Sequence, residues 1–377
     1  MKTLYIITKG MGKPSDEQII KMEESDSFPR VTVLDRAISA TLLDERHLEN
    51  RYSGFRRWLY RHLPVTASQV LEALLIHKKY DVILVHDEKV AFPLTLLMRL
   101  LQMRPPLVMT LSRITSNSRF KTKVKMLLLK MTRKRIDRII LWSSEQRRIL
   151  MEKGGVPPEK IRLIKKGTDE RFWRPLDCET DKICSVGMEM RDFPTLVKAL
   201  APLKIPCHLA TGAARGVIFD TVRTLFDMKD LPPHITVGSL APLQLRKLYA
   251  RSRFLVISLL PTDSDNGLTA ILEAMAMGKP VICTKVEGQV DVIEDGVTGI
   301  YVPQGDPDAL RDAVSELWND PEKARLMGLA ARDHIEANHS MDQYALSVRD
   351  TLGQAIKSRN ASALSGRDLA MHNVKSL

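Results

Sequence analysis

Between Phe254 and Thr284 the chain reads FLVISLLPTDSDNGLTAILEAMAMGKPVICT, and its residue types and spacing suit the binding of a phosphorylated ligand. A buried strand ends near Leu260, a polar loop runs from Pro261 to Asn266, and a helix begins at Gly267. Leu268, Ile271, Leu272, Met275 and Ala276 form its apolar stripe, and Gly278-Lys279-Pro280 stops it before the next strand. The expected N-cap is Asn266 or Asp265. A helix entered through Asn-Gly offers backbone N–H groups past its first turn, and these donors and the helix dipole favour an anion. The loop also leaves the carboxyl end of a strand, where open α/β sheets bind ligands. Glu273, further along the helix, can accept both hydroxyls of a ribose. A glycine that merely eases a loop, beside an exposed glutamate, would give the same local pattern. The Asp263-Ser264-Asp265 triplet invites a metal ion, but no neighbouring histidine or acidic cluster completes a site, and no metal or cofactor is expected.

Such a loop needs a parallel sheet behind it. Strands are expected at Thr3–Thr8, Arg30–Leu34, Asp81–His86, Leu107–Leu111 and Arg138–Trp142 in the first half. In the second half they are expected at Lys182–Gly187, Cys207–Thr211, His234–Gly238, Phe254–Leu259, Val281–Thr284 and Gly299–Val302. Helical patterns such as Ala67–Lys78 and Ala91–Gln102 alternate with them, which argues for two doubly wound α/β domains with parallel sheets. Glycines and prolines cluster between Gly154 and Pro175 as a hinge. The expected division is a first domain over 1–160, a second over 161–340, and a C-terminal helix over 341–377 that has the first domain as one place to return to. From Lys357 on, the polar sequence suggests a loose tail.

The chain has 377 residues and a formal net charge of +12, with 44% apolar and 27% charged residues, which excludes wholesale disorder and fibrous classes. The four cysteines (Cys178, Cys184, Cys207, Cys283) form no C-x-x-C pair, so a disulfide scaffold or zinc site is not expected and a reducing cytosol fits. No run reaches the ~20 apolar residues of a membrane span, and the first residues lack a signal peptide's cleavage pattern. The charge is polarised: residues 1–170 hold 33 basic and 19 acidic side chains, and 101–150 alone hold 13 and 2. That excess implies an anionic partner.

The run D-N-G-L-T-A-I-L-E-A-M-A-M-G-K-P-V-I-C-T resembles the donor-site signature of retaining glycosyltransferases of family 4, which have the GT-B fold: an acidic residue, seven residues, then Glu-Ala-Met-Ala-x-Gly-x-Pro-Val. V-P-P-E-K-I-R-L-I-K-K-G-T-D-E-R-F-W-R-P (Val156–Pro175) resembles the family's interdomain linker. Ser185–Leu200, Val237–Leu240 and Val292–Pro303 are also similar, and the likeness covers nearly all of 138–350. It implies two Rossmann-like domains facing a cleft and a nucleoside-diphosphate sugar as substrate. Glu273 then binds the ribose, and Gly267, Leu268 and Thr269 hold the diphosphate. Asp265, where the family usually has glutamate, contacts the donor sugar. Met188 stands where an arginine is usual, so Arg191 is expected to supply the cation after Gly187, unless it is a surface arginine paired with Asp192. Arg215 is a second candidate cation, and the Gly238–Leu240 segment receives the base. Ser112 stands where many relatives carry a histidine. His86 can serve nearby or be structural, and Gly10 and Gly12 resemble the acceptor-facing loop.

The implied reaction moves a sugar to a hydroxyl with retention and without metal or cofactor. Alternatives are a sugar-nucleotide epimerase, a soluble transferase acting on a sugar phosphate, and a non-catalytic membrane-docked scaffold. In Ser118–Ile140, Val124, Leu127, Leu128 and Met131 can share one face of a basic amphipathic helix. Arg51–Leu63 adds Phe55, Trp58 and Tyr60 among arginines. A solvated helix and a basic loop would also fit, while nucleic acid is not expected because no binding motif accompanies the charge. The expectation is a cytoplasmic protein, peripheral on the inner face of the cell membrane, with a glycan or lipid-linked acceptor in polysaccharide or glycolipid assembly. The sugar, the base, the linkage and the oligomeric state are left open.

Overall fold

The computed structural model describes residues 1–8, 14–50, 52–115, 118–211, 225 and 231–374. Among these residues two six-stranded sheets form, and all their strand pairs are parallel. The first comprises β1 (Thr3–Ile6), β2 (Ala40–Leu43), β3 (Val82–Val85), β4 (Leu107–Thr110), β5 (Arg138–Leu141) and β6 (Ile161–Leu163), in the order β2-β1-β3-β4-β5-β6. The second comprises β7 (Lys182–Val186), β8 (Cys207–Ala210), β9 (Ile235–Gly238), β10 (Ser252–Ile257), β11 (Val281–Thr284) and β12 (Gly299–Val302), in the order β12-β11-β10-β7-β8-β9. β1, β3, β4 and β11 are buried along their whole length, because helices cover both faces, and they therefore read as unbroken apolar runs. The two folds are Rossmann-like and face each other across a cleft.

In each sheet the order reverses once, between β1 and β3 and again between β7 and β10. At such a reversal the loops leaving adjacent strands diverge to opposite faces and open a crevice. The residues after Val186 and those after Ile257 therefore meet at the second reversal.

One local expectation is corrected. Arg30–Leu34 is no strand: a helix spans Thr32–Ala37, and the strand comes later, pairing Thr3 with Ala40. Val31 and Val33 alternate like a strand, but Glu23 accepts from both Thr32 N (2.8 Å) and Thr32 Oγ1 (2.5 Å), which fixes the start of a helical turn. That helix then packs against the C-terminal helix, Met341–Val374. This last helix continues through the polar stretch 357–374, which no proline interrupts. Its buried Val348, Leu352 and Ala355 share a core with Tyr5, Leu84, Val108 and Ile140 of the first sheet. No helix among the described residues is long and apolar enough to cross a membrane.

Candidate active site

The Leu268–Ala276 helix starts at the second reversal, and Gly267 is its N-cap at φ +92°, a left-handed conformation that glycine adopts without a Cβ penalty. Neither expected side chain caps it. Asn266 Oδ1 accepts from Thr262 Oγ1 (2.8 Å) and Ser264 Oγ (2.5 Å), and the Asp265 carbonyl accepts from Leu268 N (3.1 Å). No side chain caps the helix, and of its first amides Leu268 N is engaged by the Asp265 carbonyl, which leaves the other first-turn N–H groups for a ligand.

Arg191, at 4% exposure, reaches this entrance from the loop after β7. Its Nε and Nη2 donate to the Val186 carbonyl (3.1 and 2.7 Å), and Nη1 donates to that of Glu189 (3.0 Å). Among the described residues no carboxylate forms a salt bridge with it. Asp192, the alternative partner, instead caps the Phe193–Leu200 helix through Thr195 N (3.1 Å) and Oγ1 (2.7 Å). Gly187 makes room for the guanidinium, since a Cβ there (φ +104°) would overlap it, and Gly267 lies beside it at ordinary contact distance. Burial pushes Arg191 down to about 10, which leaves it charged at neutral pH. Met188 packs in an apolar core with Phe193 and Leu196.

Glu273 Oε2 accepts from the buried Tyr249 hydroxyl at 3.0 Å. Burial pushes this carboxyl up to about 7, with Tyr249 and Lys166 pulling against the shift. Asp265 is also raised by burial and opposed by Lys166. Lys166, from the linker, donates to Thr269 Oγ1 at 2.9 Å and stands 5.2 Å from the Trp142 ring centroid. Trp142 lies 6.0 Å from His86, whose Nδ1 is 2.9 Å from Thr110 Oγ1. Thus His86 connects to the Leu268–Ala276 helix through Trp142 and Lys166. Sequence reasoning missed Lys166, Trp142 and Tyr249; its one signal was the Lys-Lys-Gly of the linker.

The structure thus brings Arg191, Gly187, Gly267, Leu268, Thr269, Asp265 and Glu273 into one neighbourhood. Gly238 ends β9, and Leu240 lines a separate cavity of about 340 Å³ with His208 and Gln244. Ser112 is exposed just after β4. Gly10, Gly12 and Arg215 lie outside the described residues.

A second cavity, of about 430 Å³, separates the domains, with Arg113 and Thr115 on one side and Met190, Thr262, Asp263 and Glu287 on the other. Thr115 Oγ1 donates to Asp263 Oδ1 (2.5 Å), Gln146 Nε2 donates to the Asp263 carbonyl (2.6 Å), and Arg113 lies 3.5 Å from Glu189. The cleft is therefore bridged at its rim. No group of three or more histidines, cysteines and acidic residues is arranged to hold a metal among the described residues.

Residues 29–172 match Glycosyltransferase Family 4, and residues 193–320 match Glycosyl transferases group 1. The chain is related to the family 4 and group 1 glycosyltransferases. A D-inositol 3-phosphate glycosyltransferase of Kribbella flavida is 25% identical over 224 residues, covering 53% of this chain and 52% of that protein. One from Nocardia farcinica is 27% identical over 220 residues, covering 52% and 48%. This glycosyltransferase relative thus spans about half the length of the curated proteins it matches. Sucrose-phosphate synthase from Thermosynechococcus elongatus superposes with a TM-score of 0.72 at 18% identity, covering 96% of this chain and 99% of that one. Anabaena HepE in complex with UDP-glucose gives 0.69 at 18% identity, covering 95% and 100%. These likenesses establish the GT-B fold.

Proposed function

We propose that this chain is a metal-independent, retaining glycosyltransferase that moves a sugar from a nucleoside-diphosphate sugar to a hydroxyl of a glycan or lipid-linked acceptor. The observation that carries the reading is Arg191: an enclosed cation without a carboxylate, set against two left-handed glycines at an uncapped helix start. That arrangement fits a diphosphate. Anabaena HepE, similar in fold, is described with UDP and with UDP-glucose, which makes uridine the first base to try.

In the reaction the bond between the anomeric carbon and the diphosphate oxygen breaks, and the acceptor oxygen bonds to the same face of that carbon. The acceptor proton passes to an oxygen of the departing diphosphate. What the protein must stabilise is charge growing on that leaving group, which preorganised donors do best in an enclosed site. Arg191 and the amides of Gly267 and Thr269 supply the donors, joined by Leu268 N once it leaves the Asp265 carbonyl, while Glu273 accepts the ribose hydroxyls and Asp265 holds the sugar. His86 and Ser112 face the acceptor from the first domain (1–160), and the second (161–340) holds the donor.

The first domain's outer surface supports a membrane-held acceptor. On the Arg119–Thr132 helix, Phe120, Val124, Leu127 and Met131 are exposed, a stripe at helical spacing flanked by exposed Lys121, Lys123 and Lys130. Leu128, expected on that stripe, packs inward against the core instead. On the Gly54–His62 helix, Phe55 and Trp58 are exposed and stacked at 5.7 Å. Both helices contribute to the same core cluster and so cover one face of the first sheet. Apolar side chains among cations suit the interface of an anionic leaflet, here the inner face of the cell membrane.

A thermal-shift panel of UDP, GDP, ADP and their sugars in EDTA tests the donor site. A ligand at 100 times its Kd raises stability by roughly 2.7 kcal/mol, and one nucleotide family is expected to give that shift. No shift with any member would sink the reading. A soluble phosphate-bearing acceptor is the second reading, favoured by the inositol 3-phosphate in the curated relatives' names. Product formed from polyol phosphates without vesicles would select it.

A further inference from the structure

Lys166 is carried by the segment that joins the two sheets, and its ammonium ends at the start of the Leu268–Ala276 helix, where its hydrogen-bond partner is the neutral hydroxyl of Thr269. Arg191 reaches the same entrance through Gly267. The backbone that carries the lysine is tightly held. His339, at 3% exposure, donates from Nδ1 to the Lys166 carbonyl at 2.8 Å, and the His339 carbonyl accepts from Thr168 N at 2.9 Å. Gly167 fits beneath the returning chain so closely that a Cβ would come within 2.6 Å of Tyr344 Cβ and 3.1 Å of the Ser340 carbonyl. Asp169, at 1% exposure, accepts from Arg30 N and Nε, both at 2.7 Å. The segment is thus fixed by the returning chain around His339–Tyr344 and by Arg30 of the first domain. A backbone so fixed, with the ammonium itself held by Thr269, gives the lysine the supporting shell that a binding side chain needs.

We propose that Lys166 is a ligand of the donor's β-phosphate, the second cation of a diphosphate site whose first is Arg191. The choice of phosphate follows from the neighbours. Lys166 stands against Trp142 of the first domain, on the side where the acceptor meets the transferred sugar, and the β-phosphate is the one joined to that sugar. On donor binding the ammonium exchanges the threonine hydroxyl for phosphate oxygens, and it then opposes the charge that develops as the sugar leaves. His339 is the positioning residue. Burial pushes its imidazole down to about 4, so it is neutral near pH 7, with its proton on the nitrogen that donates to the lysine's carbonyl.

The inference rests on the donor-site reading above, and the experiment separates the two. Affinities of UDP, GDP and ADP, and of their monophosphates, are measured by calorimetry in EDTA for wild type, Lys166→Ala, Lys166→Arg and the control Lys165→Ala, whose lysine bonds Asn338 instead. Wild type is expected to bind one diphosphate. Lys166→Ala is expected to weaken it by roughly 10- to 100-fold, as for a lost hydrogen bond to a charged group, with the monophosphate changed less than about twofold. Lys166→Arg should recover part of the loss, and Lys165→Ala none of the effect. If wild type binds the diphosphate and Lys166→Ala binds it as tightly, this inference is overturned and the site stands. If wild type binds none of the three, the site falls and this inference with it. Should Lys166→Ala melt early, Lys166→Met, which keeps the apolar stem, replaces it.

Discussion

Arg191 is enclosed with three hydrogen bonds to carbonyls and no salt bridge to a carboxylate among the described residues, and the proposed diphosphate site would give that buried charge its counter-ion. Arg191→Ala is expected to lower turnover by ~10²–10³, as for loss of one preorganised donor to a developing anion. Steady-state kinetics with near-normal kcat would reassign the phosphates to the helix amides and Lys166. Glu273 carries a pH signature. Its folded pKa, about 7, lies above the ordinary 4.5, so protonation favours the fold. Its stabilising contribution is whole below about pH 4.5 and is lost as pH rises through about 7. Ribose hydroxyls donate to the charged carboxylate, so nucleotide binding should tighten over the same window. Tm measured across that range, with and without nucleotide, should show both trends, and Glu273→Gln should flatten both. Gly267, Thr269 and Glu273 could be grouped from the sequence because they lie along one short helix and its entrance. Lys166 and Tyr249 could not be grouped with them, because they approach Thr269 and Glu273 through the fold, 103 and 24 positions away along the chain.

Two elements set the geometry around these side chains. Gly267→Ala would place a Cβ 3.2 Å from Ile257 Cγ2 and force an L residue into the left-handed region, at roughly 1–2 kcal/mol. Chemical denaturation should read that loss, together with weakened diphosphate binding. The Gly54–His62 helix depends on one acid of its neighbour. Glu72, fully buried in the Val65–Ile76 helix, accepts from Tyr52 Oη (2.6 Å), Tyr60 Oη (2.5 Å) and Arg56 (2.8 Å). Removing that acceptor leaves the enclosed Tyr60 hydroxyl without it, which costs roughly 1–3 kcal/mol. The alternation of strands and helices was readable as periodicity, and ten of the twelve strands lie where apolar runs announced them. β2 and β6 did not announce themselves. β2 is a four-residue edge strand that begins with alanine, and β6 has three residues inside a proline-rich hinge. Neither carries enough pattern to compete with its surroundings.

At the scale of the molecule, charge and site are divided between the domains: the basic, apolar-studded surface belongs to the first and the buried cation to the second. Their join is bridged by Thr115–Asp263 and Arg30–Asp169, so a membrane holding the first domain, as proposed, would also orient the candidate donor site. The fold shows which lysines test that arrangement. Lys125 pairs with Glu88 at 2.6 Å, so reversing it would perturb the packing of two helices as well as the surface. Lys121, Lys123 and Lys130 are exposed, and each basic residue near an anionic surface contributes about 1 kcal/mol. The triple variant Lys121→Glu, Lys123→Glu, Lys130→Glu is therefore expected to lose at least about 100-fold in affinity for phosphatidylserine vesicles, with diphosphate binding in solution unchanged. Leu127→Asp should weaken the same binding through the apolar stripe, and that loss should persist when salt screens the lysines. Flotation that survives both variants would assign the stripe to solvent and leave the acceptor soluble.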